Sequence, residues 1–232
     1  MTLTMTQVKT AMLLAAGRGE RMRPFTDTHP KPLAMLIGKP LIQHHVERLA
    51  AAGIERIVIN LAWLGAQIRD ALGDGRRFGV ELLYSDEGPE ALETGGGIFR
   101  ALPLLGPDPF WVVSADLWTD FTFTRADERL EASDLAHLVM VENPSFNLQG
   151  DFSLHEGRIS ETVGTRLTYA SLALFRPELF VGCQPGRYSV VPLLRAAMGQ
   201  DRVSGELFAG CWFNIGTTAQ LEAVDSDLRA NK

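Results

Sequence analysis

Two cysteines, Cys183 and Cys211, are all the chain contains. That is too few for a disulfide scaffold, and they lack metal-ligand spacing, so both are expected to be reduced and in or near the core. No apolar run reaches the roughly 18–20 residues of a membrane span, and the opening MTLTMTQ has no apolar stretch of the signal-peptide kind. These absences predict a cytoplasmic protein without a membrane partner, whose first eight residues are a loose tail and in which Met5 is an alternative start. Basic excess is also missing. The 22 Lys and Arg are outnumbered by 28 Asp and Glu, for a formal net charge of −6, which argues against a nucleic-acid partner of the strongly basic type. Gly-Lys-Ser/Thr never occurs, which excludes a Walker loop, and Met22 stands where a dinucleotide fingerprint needs its third glycine. No internal repeat, low-complexity tract or Pro/Gly/Ser linker divides the chain.

What is present is ordinary in bulk and unusual in one place. At 232 residues with 46% hydrophobic and 22% charged side chains, the chain suits one large α/β domain with a lobe. The unusual stretch is Leu13 to Leu33, LLAAGRGERMRPFTDTHPKPL. It begins as an apolar run, Ala11 to Ala16, short enough for a buried parallel strand, and breaks at Gly17 and Gly19, where backbone can approach a ligand closely. Arg18, Arg21, Arg23 and Lys31 follow against only Glu20 and Asp27. In an acidic chain, that local inversion points to a small anionic ligand. Pro30 and Pro32 flank Lys31 and are expected to hold it in a stiff extended segment.

Onward from there the pattern alternates. Pro40 opens a helix through Gly53, with Leu41, Ile42, His45, Val46 and Leu49 on one face and His44 and His45 as packing or surface residues. RIVINL at 56–61 and the run 80–84 read as strands separated by a second helix from LGAQIRDALGDG. Such βαβ units predict a doubly wound, mostly parallel, Rossmann-like sheet, with ligands beyond the carboxyl ends of its strands. Thr94 is placed to cap a helix whose first turn holds Gly95, Gly96 and Gly97. Glycines there serve either close approach of a neighbouring segment or of a nucleobase and ribose. FWVVSA at 110–115 is a buried strand ending at Asp116, positioned for a metal or for capping the next turn. After 135–141 the rhythm shifts to shorter strands at 152–155, 158–160 and 168–175. Residues 9–142 are therefore read as a nucleotide-binding half and 143–232 as an acceptor-binding half that closes over it, within a single domain. A helix around 190–198, a hairpin from Val203 to Ile215 and a last helix from Thr217, with Asp225, Asp227 and Arg229 on a solvated face, complete the prediction. No hexapeptide repeat predicts a C-terminal β-helix.

AAGRGERMRP followed by THPKPL resembles the signature of the sugar-phosphate nucleotidyltransferases, which join a nucleoside triphosphate to a sugar 1-phosphate and release pyrophosphate. The similarity extends through LETGGGIF, SADLWTD, VENP, GDFSL and WFNIGT, and within that family looks most like the short N-acetylmuramate 1-phosphate uridylyltransferases of cell-wall recycling. The resemblance implies Arg21, Lys31 and Asp116 as catalytic residues. It implies a nucleotide site from Ala15, Ala16, Gly17, Gly19, Glu20, Thr94, Gly95 and Gly96, and a sugar site from Asn143, Gly150, Asp151 and Tyr169. The implied cofactor is Mg²⁺, on Asp116. Relatives commonly carry Gly-Asp where this chain has Ala115 and Asp116, and Trp-x-Asp-x-Gly-Thr where it has Asn214; Asn214 is thus the second expected metal ligand, with Asp120 as the alternative. Mannose-1-phosphate guanylyltransferases share the signature, phosphocholine-type cytidylyltransferases have a similar short chain, and a non-catalytic nucleotide-binding protein is a further reading. A monomer or small homo-oligomer is expected.

Overall fold

The apolar run that opens the signature becomes a strand buried in the middle of a nine-stranded sheet. The computed structural model describes residues 8–124 and 129–230. Residues 1–7 of the expected tail, Met5 among them, lie outside the described residues, and Val8 is not tail at all but sits buried in the core. In chain order the elements are β1 (Thr10–Leu14), α1 (Phe25–Thr28), β2 (Met35–Leu36), β3 (Lys39–Pro40), α2 (Leu41–Ala51), β4 (Arg56–Leu61), α3 (Gly65–Leu72), β5 (Glu81–Asp86), α4 (Glu93–Leu105), β6 (Phe110–Ser114), β7 (Leu117–Thr119), β8 (Ala136–Val141), β9 (Phe152–His155), β10 (Arg158–Ser160), β11 (Thr165–Phe175), α5 (Val191–Met198), β12 (Val203–Leu207), β13 (Trp212–Asn214) and α6 (Thr218–Ala230).

The main sheet runs β5-β4-β1-β6-β11-β8-β12-β10-β9. Its first four strands are parallel. β11 then enters antiparallel to both β6 and β8, so the expected parallel sheet describes the first half and the whole is mixed. Continuous apolar strands follow from burial on both faces. In β1, Ala11 and Leu13 join the core under α2 and α3, while Met12 joins the core under α4 and α5. In β6, Trp111 and Val113 face the first of these cores and Phe110 and Val112 the second. Helices therefore cover both faces, and the apolar stripe expected of α2 is buried throughout. From β1 the chain steps outward to β4 and β5, then returns to the other side of β1 as β6. That reversal opens a crevice beyond the strand ends, where ligands bind in such sheets. Among the described residues no helix is long and apolar enough to cross a membrane, and no C-terminal β-helix occurs.

Four local expectations are corrected. The predicted hairpin at Val203–Ile215 does not form: β12 pairs parallel to β8 in the main sheet, and β13 pairs antiparallel to β7 in a separate ribbon. Small Gly205 lets β12 slot beside Ile159, where a Cβ would come within 2.5 Å of Cδ1. Lys31 is not extended but begins a single 3-10 turn, closed by Leu33 N–H to Pro30 O and Ala34 N–H to Lys31 O, both at 2.9 Å; the bias imposed by a following proline is a preference that two turn bonds outweigh. Cys211 is exposed, Cys183 half-buried, and both are free. Asp225 is not simply solvated, since its Oδ1 accepts the Ile37 N–H at 2.5 Å and its carboxylate pairs with Arg229.

Candidate active site

Beyond the carboxyl ends of β1, β4 and β6 lies a cavity of about 500 Å³. Ala15, Ala16, Gly17, Gly19, Glu20, Arg21, Lys31, Thr94 and Asp116 all border it, so one wall unites the signature, the start of α4 and the end of β6. Gly19 has φ 67° and a hydrogen bond from Thr26 Oγ1 to its carbonyl (3.0 Å). A side chain there would be strained, and its Cβ would fall 2.9 Å from Lys31 Cβ. The glycine thus admits the Lys31 stem, which is buried while its ammonium reaches the cavity.

Lys31 Nζ donates to Asp116 Oδ2 at 2.7 Å, and Ser114 Oγ donates to Asp116 Oδ1 at 2.7 Å. Burial works to raise the Asp116 carboxyl, but the Lys31 charge and these two hydrogen bonds outweigh it and hold the group below its ordinary value. It remains an anion across the physiological range. Arg21 lies across Gly216, whose added Cβ would sit 3.0 Å from Nη2 and 3.1 Å from Nη1 and Cζ. Arg18 stacks over the Trp63 ring at 4.5 Å, and Arg23 pairs with Asp27. Of the signature cations, Arg18 and Arg21 have no carboxylate partner among the described residues. They are open to an anion.

The three glycines of α4 divide differently from expectation. Gly95 and Gly96 do not border the cavity. A Cβ on Gly95 would lie 2.5 Å from the Tyr188 ring, and one on Gly96 only 2.0 Å from Gly186 O, so both admit the segment before α5. Thr94 does not cap α4, which starts at Glu93; its hydroxyl accepts the Val190 N–H at 3.0 Å, tying the same segment down.

None of the predicted sugar-side residues borders the cavity. Asn143 Oδ1 accepts from Thr168 Oγ1 (2.9 Å) and its Nδ2 donates to Arg166 O (3.0 Å). Asp151 Oδ2 accepts the Tyr169 N–H at 2.9 Å. Gly150 closes the knot, since a Cβ there would meet Asn143 Oδ1 and Leu167 O at 2.8 Å. Burial pushes the Tyr169 hydroxyl up. These residues shape the loop from 143 to 151, which rests Phe146 against Trp212 with ring centroids 6.4 Å apart.

Asn214 reaches the neighbourhood through the β7–β13 ribbon, opposite Leu117, and the next N–H, of Ile215, donates to Asp116 O at 2.9 Å. Asp120 is otherwise engaged: its Oδ1 accepts the Cys211 N–H at 2.8 Å. Among the described residues no group of three His, Cys, Asp or Glu side chains could hold a metal. Asn214 does not itself border the cavity, whereas the Asp116 carboxylate does; an ionised carboxylate beside an amide that has no partner among the described residues suits a hard cation that brings phosphate oxygens with it. Asn60, Glu87, Glu93, Ser114 and Gly216 border the cavity without being singled out from the sequence. Only an asparagine ending the apolar run RIVIN could have drawn notice.

The nucleotidyl transferase family model matches residues 10–145. The N-acetylmuramate alpha-1-phosphate uridylyltransferase of Neisseria meningitidis serogroup B (strain ATCC BAA-335 / MC58) is 51% identical over 225 residues, covering 93% of this chain and 96% of the relative. A protein of the same name from Caulobacter vibrioides (strain ATCC 19089 / CIP 103742 / CB 15) is 33% identical over 234 residues, covering 95% and 97%. The crystal structure of UDP-glucose pyrophosphorylase complexed with UDP-glucose superimposes with a TM-score of 0.77 at 20% identity, over 97% of this chain and all of that one, which shows the shared fold.

Proposed function

The chain belongs to the nucleotidyl transferase family, and on that premise we propose that it transfers UMP from UTP to N-acetylmuramate 1-phosphate with release of pyrophosphate. The observation that carries this reading is the cavity wall in which the signature's Lys31 meets Asp116 beside an unpaired Arg21, in a chain 51% identical to a uridylyltransferase of that name. Residues 9–142 supply the nucleotide side and 143–232 the acceptor side, in a cytoplasmic enzyme.

The reaction asks mainly for positioning and charge. A sugar 1-phosphate has a second pKa of about 6, so at neutral pH its oxygen is a ready nucleophile and needs no general base. Among the described residues, neither His nor Cys borders the cavity. That oxygen forms a bond to the α-phosphorus in line as the bond to the β-phosphate oxygen breaks and pyrophosphate departs. Lys31 exchanges Asp116 for the non-bridging α-phosphate oxygens, where negative charge accumulates, and Arg21 receives the leaving pyrophosphate. The backbone from Ala15 to Glu20 wraps the triphosphate, and the knot of Asn143, Gly150, Asp151 and Tyr169 presents the acceptor loop. Members of the family use a divalent metal; here Asp116 and Asn214 would hold Mg²⁺, which supplies further charge neutralisation on the phosphates.

Pyrophosphate release over four nucleoside triphosphates and a panel of phosphorylated acceptors tests the reading. UTP with N-acetylmuramate 1-phosphate is expected to be the best pair. Faster turnover with GTP and mannose 1-phosphate would overturn it.

A further inference from the structure

We infer that Asn60 and Glu87 act as a polarised pair that orients the Leu14–Ala15 peptide and are positioning residues for the triphosphate. The inference rests on the nucleotide-binding reading of the cavity. Both side chains border that cavity and both are buried, at 3% and 7% exposure. The Ala15 N–H donates to Asn60 Oδ1 at 2.7 Å, Asn60 Nδ2 donates to Glu87 Oε1 at 2.7 Å, and the Leu92 N–H donates to Glu87 Oε2 at 2.6 Å.

The direction of this chain is dictated chemically. A backbone N–H only donates and a carboxylate only accepts, so the Asn60 amide can stand one way round. On the opposite edge of the same peptide, Leu14 O accepts the Ala115 N–H at 3.0 Å. The Leu14–Ala15 peptide plane is thereby held from both sides, by the residue before Asp116 and by Asn60. Immediately beyond this plane, the backbone of Ala15, Ala16 and Gly17 forms the cavity wall. Gly97, the third glycine of α4, fits the same arrangement: its Cβ would lie 2.4 Å from Glu87 Oε1 and 3.0 Å from Asn60 Nδ2. Two glycines of the run therefore admit the segment before α5, and the third makes room for the carboxylate.

The arrangement has a reciprocal form that tests it. Glu87→Gln leaves one acceptor for two donors, and Asn60→Asp sets two carboxylates against each other. In the double variant, the new amide at position 87 can donate to the new carboxylate at position 60, and all three hydrogen bonds can be remade at unchanged net charge. Calorimetric titration of the full chain with each of the four nucleoside triphosphates, alongside melting curves, reads the outcome. Each single variant is expected to weaken triphosphate binding by about tenfold, the worth of one lost buried hydrogen bond, and the double variant to recover within about threefold of the parent. Unchanged affinity in folded single variants would overturn the inference. So would a folded double variant that still binds about tenfold more weakly, and that arm stands even if a single variant fails to fold. If the parent binds another triphosphate better than UTP, the uridylyl reading falls while the pair is judged on that triphosphate. If it binds none, both fall.

Discussion

Arg21 owes its place to a residue that is almost two hundred positions away and has no side chain. The guanidinium lies against Gly216 at a separation that a methyl group would close to about 3 Å. Because the crowded atoms are the far end of a flexible side chain, Gly216→Ala should leave melting unchanged and displace Arg21, lowering turnover by roughly tenfold, as for partial loss of a preorganised charge. Assay of pyrophosphate release decides this, and Arg21→Ala should show no further loss when Gly216→Ala is added. Asn214 makes a second residue-scale case. An amide offers a dipole where a carboxylate offers a full charge, so Asn214→Asp should tighten binding of Mn²⁺, as a probe for Mg²⁺, to the nucleotide-free protein, measured by electron paramagnetic resonance. Equal affinity in both proteins would place the second ligand elsewhere. Lys31, Arg21 and Asp116 were legible because they sit in contiguous motifs. Asn60, Glu87 and Ser114 were not, since they stand near the ends of three different strands, Glu87 just past β5, and only the sheet brings them together.

Elements were legible where period and termini agreed and misleading where partner choice mattered. The stripe of α2 and the runs of β1, β4 and β6 read correctly, because burial on one face or on two leaves a period in the letters. The Val203–Ile215 segment looked like a hairpin, but its two strands have partners far back in the chain, β8 and β7, which local sequence does not record. The start of α4 offered two readings, and a substitution separates them. Gly96→Ala would drive a methyl to 2.0 Å from the Gly186 carbonyl, so it should destabilise the fold by about 1–3 kcal/mol or more, visible as a lower Tm, while leaving triphosphate affinity in the folded fraction unchanged. On α2, His45 is buried with Nε2 2.7 Å from Leu117 O, and its Nδ1 has no partner among the described residues. Burial lowers its pKa to about 4 from 6.5. Between those values the unfolded chain holds the extra proton. Stability is therefore full above pH 6.5 and declines as pH falls toward 4, by up to about 3 kcal/mol. The window from 6.5 to 5 is diagnostic, before ordinary carboxylates titrate; thermal melts across it should flatten in His45→Gln.

At the scale of the molecule, the two halves read from the sequence are joined by hydrogen bonds rather than by a linker. β11 borders β6 on one side and β8 on the other, and also pairs with β9. Within residues 9–142, β6 carries the strand end from which Asp116 projects, and its outer edge is completed only by a segment ending at Phe175. During synthesis, that edge waits about sixty residues for its partner, since Leu172 pairs with Val113 and Phe175 with Phe110. Until then Phe110–Ser114 presents unpaired amides and carbonyls flanked by apolar side chains, the kind of edge that recruits other chains. A fragment of residues 8–142 should therefore not survive as a soluble, nucleotide-binding monomer, and analytical ultracentrifugation should find it aggregated. Extension to residue 210, which supplies β11 to β6 and β12 to the far edge of β8, should restore solubility. The nascent chain is thus most exposed to misassembly in the interval when it already holds every residue of its glycine-and-arginine signature.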